Sequence, residues 1–319
     1  MEPGIAAVRG GEWGVSAPAV CILTETYFPV VGGGETQAKA LAEGLAAAGH
    51  QITVLTRRSQ PELRSSEQIG PAWVVRLPPG GRNHTHKWGL LLSAGPALLR
   101  LRDRYDVILV CGFRILGLPA VLVGRWLGKP VVLKADSPGE MSGEFFQAGL
   151  ARVRIPAARP LLNLFVRGRN RVLRRADAFV AISSEIGREL AAQGVPSELI
   201  HAIPNGVDAD RFRPIAPADK RCLRERLGLP QEVPLVIYVG RLVSYKGLPE
   251  LLEAWPDVRR ACPDAHLILV GSGGLDIHNC EAALRARVAA GKLAESVRFA
   301  GEVAEVESHL KAADIFVLP

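Results

Sequence analysis

Cysteine is sparse in this sequence and is not paired. Five cysteines among 319 residues (Cys21, Cys111, Cys222, Cys262 and Cys280) show no CxxC spacing, which excludes a zinc ribbon or a dithiol redox site. Free buried thiols in a reducing compartment are the expected state. Long uncharged apolar runs are also missing. The most apolar stretch, 107–133, is interrupted by Arg114, Arg125 and Lys129, and no run reaches the roughly 18 residues of a membrane span. Residues 1–18 lack a charged segment followed by an apolar one, so a loose leader is expected there rather than a signal peptide. GxGxxG is absent, and the second expected strand runs into Thr56, Arg57 and Arg58 instead of an acid for a ribose. That combination argues against a nicotinamide dehydrogenase.

Acid is missing from one long stretch. Between Glu144 and Asp177 there is no Asp or Glu, but there are eight arginines: Arg152, Arg154, Arg159, Arg167, Arg169, Arg171, Arg174 and Arg175. They account for the whole net charge of +7. Interleaved with Leu161, Leu162, Leu164, Phe165, Val166, Val172 and Leu173, they read as a basic amphipathic helix, with Arg167, Arg169, Arg171 and Arg174 meeting an anionic membrane surface. A helix with a solvated arginine face fits the same pattern. Nucleic acid is not an expected partner, because neither a recognition motif nor an aromatic stacking platform accompanies the charge.

What the sequence does contain is β–α alternation over a length suited to two domains, with 48% hydrophobic residues for the cores. Strands are expected at 19–24, 52–56, 73–77, 107–110, 131–134, 179–182 and 201–203, then at 235–239, 266–270, 297–300 and 315–318. Most are too apolar for a sheet with one wet face, so parallel sheets covered by helices on both sides follow. Residues 204–234, with Pro214, Pro217 and Pro230, read as a linker or hinge between a domain at 19–203 and a domain at 235–319.

Two glycine-bearing loops stand out. At 235–247, LVIYVGRLVSYKG, an apolar run ends in Gly240, with Arg241 and Lys246 following and Gly247 closing the loop. Two cations five residues apart do not share a helix face, so they converge from a loop. The planar donor fork of Arg and the point charge of Lys suit a diphosphate. Two solvated loop cations are the plain alternative. At 29–35, PVVGGGE precedes a helix, where free N–H groups can hold a phosphate or a sugar hydroxyl; a tight strand-to-helix turn would need the same glycines.

The segment GRLVSYKGLPELLEAW resembles the donor site of the retaining glycosyltransferases of family 4, which have the GT-B fold. So do four other stretches in the same order: TETYFPVVGGGETQAKALAEGLAAAGHQITVLT from Thr24, ADAFVAISSEIGREL from Ala176, IPNGVDADRF from Ile203, and AHLILVGSGG with VRFAGEV from Ala265 onward. The resemblance implies two Rossmann-like α/β domains facing a cleft and transfer of a sugar, with retention, from a nucleotide-diphosphate sugar. The acceptor would be lipid-linked, a polysaccharide or a small glycoside. It assigns the donor to Arg241, Lys246, Gly240, Gly271 and Val303, and puts Gly33 and Gly34 against the diphosphate or the acceptor. Many members carry a histidine after the fifth first-domain strand; Asp136 holds about that place here, as an acceptor-orienting group or as a strand-end Asx turn before Ser137 and Pro138.

No metal or other cofactor is expected. The DxD at Asp208 and Asp210 lies in an interdomain loop of the resembling family, and His84 and His86 have no third ligand. The sequence stops at DIFVLP, just before the place where the family carries two glutamates eight positions apart, so the second domain is expected to be incomplete. A cytoplasmic glycosyltransferase, peripheral at the inner face of the membrane, is the resulting expectation. A GT-B nucleotide-sugar epimerase and a degenerate nucleotide-binding fragment without turnover remain as alternatives.

Overall fold

The structure is a computed structural model that describes residues 17–30, 32–81, 86–144, 159–274 and 278–319. The chain divides into two compact units, Met1–Gly206 and Val207–Pro319.

The first unit is built on an eight-stranded sheet. Its strands are β1 (Val20–Thr24), β2 (Ile52–Arg57), β3 (Ser66–Ile69), β4 (Ala72–Leu77), β5 (Val107–Cys111), β6 (Val131–Ala135), β7 (Ala178–Ala181) and β8 (Ile200–Ala202), in the order β3-β4-β2-β1-β5-β6-β7-β8. All neighbours are parallel except β3 and β4. Helices α1 (Gly33–Ala47), α2 (His86–Arg100), α3 (Phe113–Leu127), α4 (Arg159–Leu173) and α5 (Ser184–Ala192) cover it. The period of two along each strand shows directly in the packing. Cys21, Leu23, Ile108 and Val110 face α2, α3, α4 and α5, while Val20, Ile22, Leu109 and Cys111 face Ala38 and Ala42 of α1. Both faces are therefore dry, which is why β1 and β2 are buried at every position.

The second unit has the parallel order β11-β10-β9-β12, from β9 (Leu235–Val239), β10 (His266–Val270), β11 (Val297–Gly301) and β12 (Ile315–Phe316). Helices α7 (Leu248–Ala261) and α8 (Glu281–Ala290) pack on one face through Leu252, Trp255, Leu284 and Val288. On the other face α6 (Pro217–Arg226), with Leu227 directly after it, and α9 (Val306–Ala312) contribute Leu223, Leu227, Leu310 and Ala312.

Several expectations need correction. Strand β3, SEQI, has no apolar run to announce it; its alternate exposure makes it a polar edge that caps β4. The last strand ends at Phe316 instead of residue 318. Within the segment 204–234, expected as a hinge and linker with a short charged helix, that helix is α6 and it belongs to the second unit. There Arg224, 5% exposed, donates to the carbonyls of Ala312 (2.9 Å) and Val233 (3.1 Å) and to Asp314 Oδ2 (2.6 Å). Of the thiols expected to be buried, Cys21 and Cys111 are; Cys222 is exposed, and Cys262 and Cys280 are half-buried.

Candidate functional site

In a parallel sheet the strands' carboxyl ends splay apart where the winding order reverses, and ligands bind in that opening. In the first unit the reversal falls between β1 and β5. Three segments emerge there: α1 beginning at Gly33 and Gly34, Gly112 after β5, and Asp136 after β6. Gly112 has φ 71°, and a Cβ there would stand 3.3 Å from Asp136 Oδ2; one on Gly34 would stand 3.7 Å from the same oxygen. The Asp136 carboxylate thus points across the strand ends at the start of α1. Its other oxygen accepts from Lys134 Nζ at 2.5 Å. Gly33 has open space around it.

Beneath Asp136 lies a buried polar layer that the sequence did not reveal. Glu140, 1% exposed, accepts the Asp136 N–H through Oε1 at 3.0 Å and sits 3.8 Å from the guanidinium of Arg114. Its Oε2 has no hydrogen-bond partner among the described residues. Burial pushes the Glu140 carboxyl up from 4.5 to about 7, against the opposing pull of Arg114 and of the Asp136 and Phe113 amides. Because that proton is held more tightly in the folded than in the unfolded chain, the stability it brings is complete below about pH 4.5 and is lost as pH rises through 7. The loss amounts to roughly 3 kcal/mol. Glu140→Gln should remove it: denaturant midpoints of wild type and variant, measured from pH 4.5 to 8, should diverge progressively in favour of the variant.

Arg169 was expected at a membrane surface, and the structure corrects this. It is 4% exposed and donates to the carbonyls of Arg114 (3.1 Å), Glu140 (2.9 Å) and Met141 (2.8 Å) and to Asn170 Oδ1. A guanidinium with that many fixed acceptors is a structural cross-link between α3, α4 and the loop after β6. Burial lowers its pKa to about 10, which leaves it protonated at neutral pH. Arg167, Arg171 and Arg174 are exposed, beside exposed Leu164 and Phe165. Arg152 and Arg154 lie outside the described residues.

In the second unit the winding reverses between β9 and β12. The Gly240–Gly247 loop leaves the sheet at that point. Gly271 approaches so closely that a Cβ on it would run into the Gly240 carbonyl oxygen. The Gly240 amide bonds Val270 O (3.0 Å), Leu242 N–H bonds Ser272 O (3.0 Å), and Gly271 N–H bonds Gly301 O (2.7 Å), which ties the three loop starts together. Arg241 and Lys246 are both exposed on this loop. Tyr245 Oη accepts from Arg241 Nη2 at 2.9 Å and stacks edge-on against His278, with ring centroids 5.4 Å apart, so the guanidinium is partly oriented before any anion arrives. Tyr245 was not singled out from the sequence; its place within the loop was the only signal. The side chain of Val303 is half-buried against the core.

Among the described residues no three His, Cys, Asp or Glu side chains converge on a point. Asp208 uses Oδ1 to accept the amides of Asp210 (3.1 Å) and Arg211 (3.0 Å), an Asx-type turn. His84 lies outside the described residues, and His86 opens α2.

The model of Glycosyltransferase Family 4 matches residues 31–211, more than half of the chain, and that of Glycosyl transferases group 1 matches 233–319. The chain belongs to glycosyltransferase family 4. Among its curated relatives, a GDP-mannose-dependent monoacylated α-(1-6)-phosphatidylinositol monomannoside mannosyltransferase of Corynebacterium glutamicum is 40% identical over 37% of this chain and 29% of its own length. A Mycobacterium tuberculosis GDP-mannose-dependent α-(1-6)-phosphatidylinositol monomannoside mannosyltransferase is 35% identical over 46% of this chain and 38% of its own. The matched part is therefore less than half of either relative. Anabaena HepE, solved with UDP and glucose, superposes with a TM-score of 0.69 at 18% identity, over 95% of this chain and 74% of that one. Sucrose-phosphate synthase of Thermosynechococcus elongatus does so with 0.69 at 22%, over 94% and 75%. These two likenesses concern the GT-B fold, which the mixed eight-stranded sheet and the parallel four-stranded sheet of this family 4 chain share.

Proposed function

We propose that this chain carries the donor-binding and acceptor-facing elements of a glycosyltransferase that moves a sugar from a nucleotide-diphosphate sugar to a glycan or lipid-linked acceptor, with retention and without a metal. One observation carries the reading: the exposed pair Arg241 and Lys246 on a Gly240–Gly247 loop at the winding reversal of the second sheet. Breaking a sugar–phosphate bond leaves negative charge on the departing diphosphate, and fixed cations there lower the barrier. Val303, Gly240 and Gly271 would bring backbone close to the nucleotide, and the open N-terminus of α1 at Gly33 and Gly34 offers amides to an oxygen. Asp136 faces that same helix start and would orient an acceptor hydroxyl. The relatives' use of GDP-mannose and of phosphatidylinositol mannosides supports a nucleotide-sugar donor and a membrane lipid acceptor. The test is turnover of GDP-mannose and UDP-glucose with a phosphatidylinositol acceptor, with product anomers read by NMR, in EDTA. Transfer with the donor's configuration kept is expected; a requirement for Mg²⁺ or Mn²⁺ would reject the cationic mechanism, and acceptor-independent conversion of the donor would indicate an epimerase.

Among the described residues no helix is long and apolar enough to cross a membrane. A lipid acceptor would instead be met at the surface by α4 and the residues after it, where Arg167, Arg171 and Arg174 stand beside Leu164 and Phe165. At ~1 kcal/mol per basic residue, replacing these three arginines with Gln should weaken binding to anionic vesicles on the order of a hundredfold. Co-sedimentation that is equal on neutral and anionic vesicles would reduce this face to solvated charge.

A further inference from the structure

Beneath Asp136, Glu140 is a carboxyl that the loop does not need for its shape. The turn that carries it is already held on one side by Glu189 of α5, whose carboxylate accepts the amides of Gly139 (2.7 Å), Met141 (2.9 Å) and Ser142 (2.8 Å). On the other side Arg169 binds the Glu140 and Met141 carbonyls. A glutamine would satisfy the Asp136 amide equally well. What glutamate adds is a buried oxygen, Oε2, without a partner among the described residues; that arrangement costs stability, and buried titratable groups of this kind cluster at functional sites.

We propose that Glu140 is a positioning residue for the acceptor-side carboxylate: it fixes the Asp136 backbone through Oε1 and, by taking up or releasing a proton at Oε2, sets how strongly Asp136 accepts a hydrogen bond. This rests on the reading of Asp136 as the acceptor-facing group. The charged and titratable groups that bear on Glu140 come from every element around it. Arg114 of α3 favours its anion, and Asp136 opposes it. Arg169 of α4 feels its charge, as does Cys111 at the end of β5, whose thiol burial pushes up to about 12. Lys134 of β6 is engaged by Asp136. When Glu140 is protonated, Oε2 is a donor and Asp136 has one fewer negative neighbour. When it ionises, a second negative charge stands beside the Asp136 carboxylate and strengthens the hydrogen bond that this carboxylate accepts from an incoming hydroxyl. The site would then respond to pH through Glu140, the carboxyl that does not touch substrate.

The test needs no substrate. The full chain, labelled with ¹³C at its Asp and Glu carboxyl carbons, is titrated by NMR, with signals assigned through Asp136→Asn and Glu140→Gln. One glutamate should titrate near pH 7, where burial holds Glu140, and the Asp136 signal should inflect at the same midpoint. In Glu140→Gln that second inflection should vanish. In Arg114→Gln the midpoint should move upward and take the Asp136 inflection with it, which keeps the proposal open to test should Glu140→Gln fold poorly. An Asp136 signal that is indifferent to the glutamate's titration, or a glutamate midpoint near 4.5 in the wild type, overturns the proposal. If Asp136→Asn leaves sugar transfer intact, the acceptor-side reading falls while the measured coupling stands, so the two failures can be told apart.

Discussion

Arg241→Ala and Lys246→Ala are each expected to weaken UDP or GDP binding tenfold or more, and the double variant should bring calorimetric heats to baseline. Each cation would make charge-assisted contacts with the diphosphate worth about 1.5–3 kcal/mol. Both are exposed, so their removal leaves no buried charge behind, and the loss reads as contact energy instead of misfolding. The loop itself is kept in place by the Gly240, Leu242 and Gly271 amide bonds and by the Tyr238 hydroxyl, which donates to Arg241 O at 3.0 Å. None of these depends on either side-chain charge. Tyr245→Phe should cost less than the arginine itself, since it removes only the group that orients the fork. Unchanged affinity in both single variants would remove the diphosphate from this loop.

Arg169→Ala is expected to destabilise the first unit by roughly 3–5 kcal/mol, while Arg167→Ala, on the exposed side of the same helix, should shift stability by less than about 0.5 kcal/mol. The contrast follows from their partners. Removing Arg169 strips a buried side-chain donor from the Arg114 and Glu140 carbonyls and from Asn170 Oδ1. The Met141 carbonyl keeps another donor, Asn170 Nδ2 at 2.8 Å. Hydrogen exchange at the amides of 131–142 is the suitable readout, because two units need not unfold together. Equal protection in the two variants would mean that the buried network contributes nothing and would return Arg169 to the list of surface charges.

The fold was largely legible in the sequence because a sheet covered on both faces leaves a strong local mark. LVIYV at 235–239 and HLILV at 266–270 coincide with β9 and β10, since continuous burial demands continuous apolar residues. Strand β3 escaped because a half-wet edge strand needs no such run. The site divides in the same way. Gly240, Arg241, Lys246 and Gly247 could be singled out as candidates because loop geometry and phosphate chemistry each narrow the residue choice within one short loop, whereas Gly271 came only with the family resemblance. The role of Tyr245, which depends on where a side chain turns in space, could not be found.

The arginine segment shows where local reading stops. Its charge and its helical character were in the sequence, but Arg167, Arg169 and Arg171 are chemically identical there; burial of the middle one is decided by carbonyls on α3 and on the loop after β6, 28 to 55 positions away in the chain. The same holds for Glu140, an ordinary glutamate until β6, α3 and α4 close over it. Strand pattern, helix–strand alternation and the cationic loop were determined by the sequence itself, because each is enforced between near neighbours along the chain. Which charges lie on the surface and which are enclosed beneath Asp136 was decided by tertiary packing, because desolvation is a property of everything that surrounds a group.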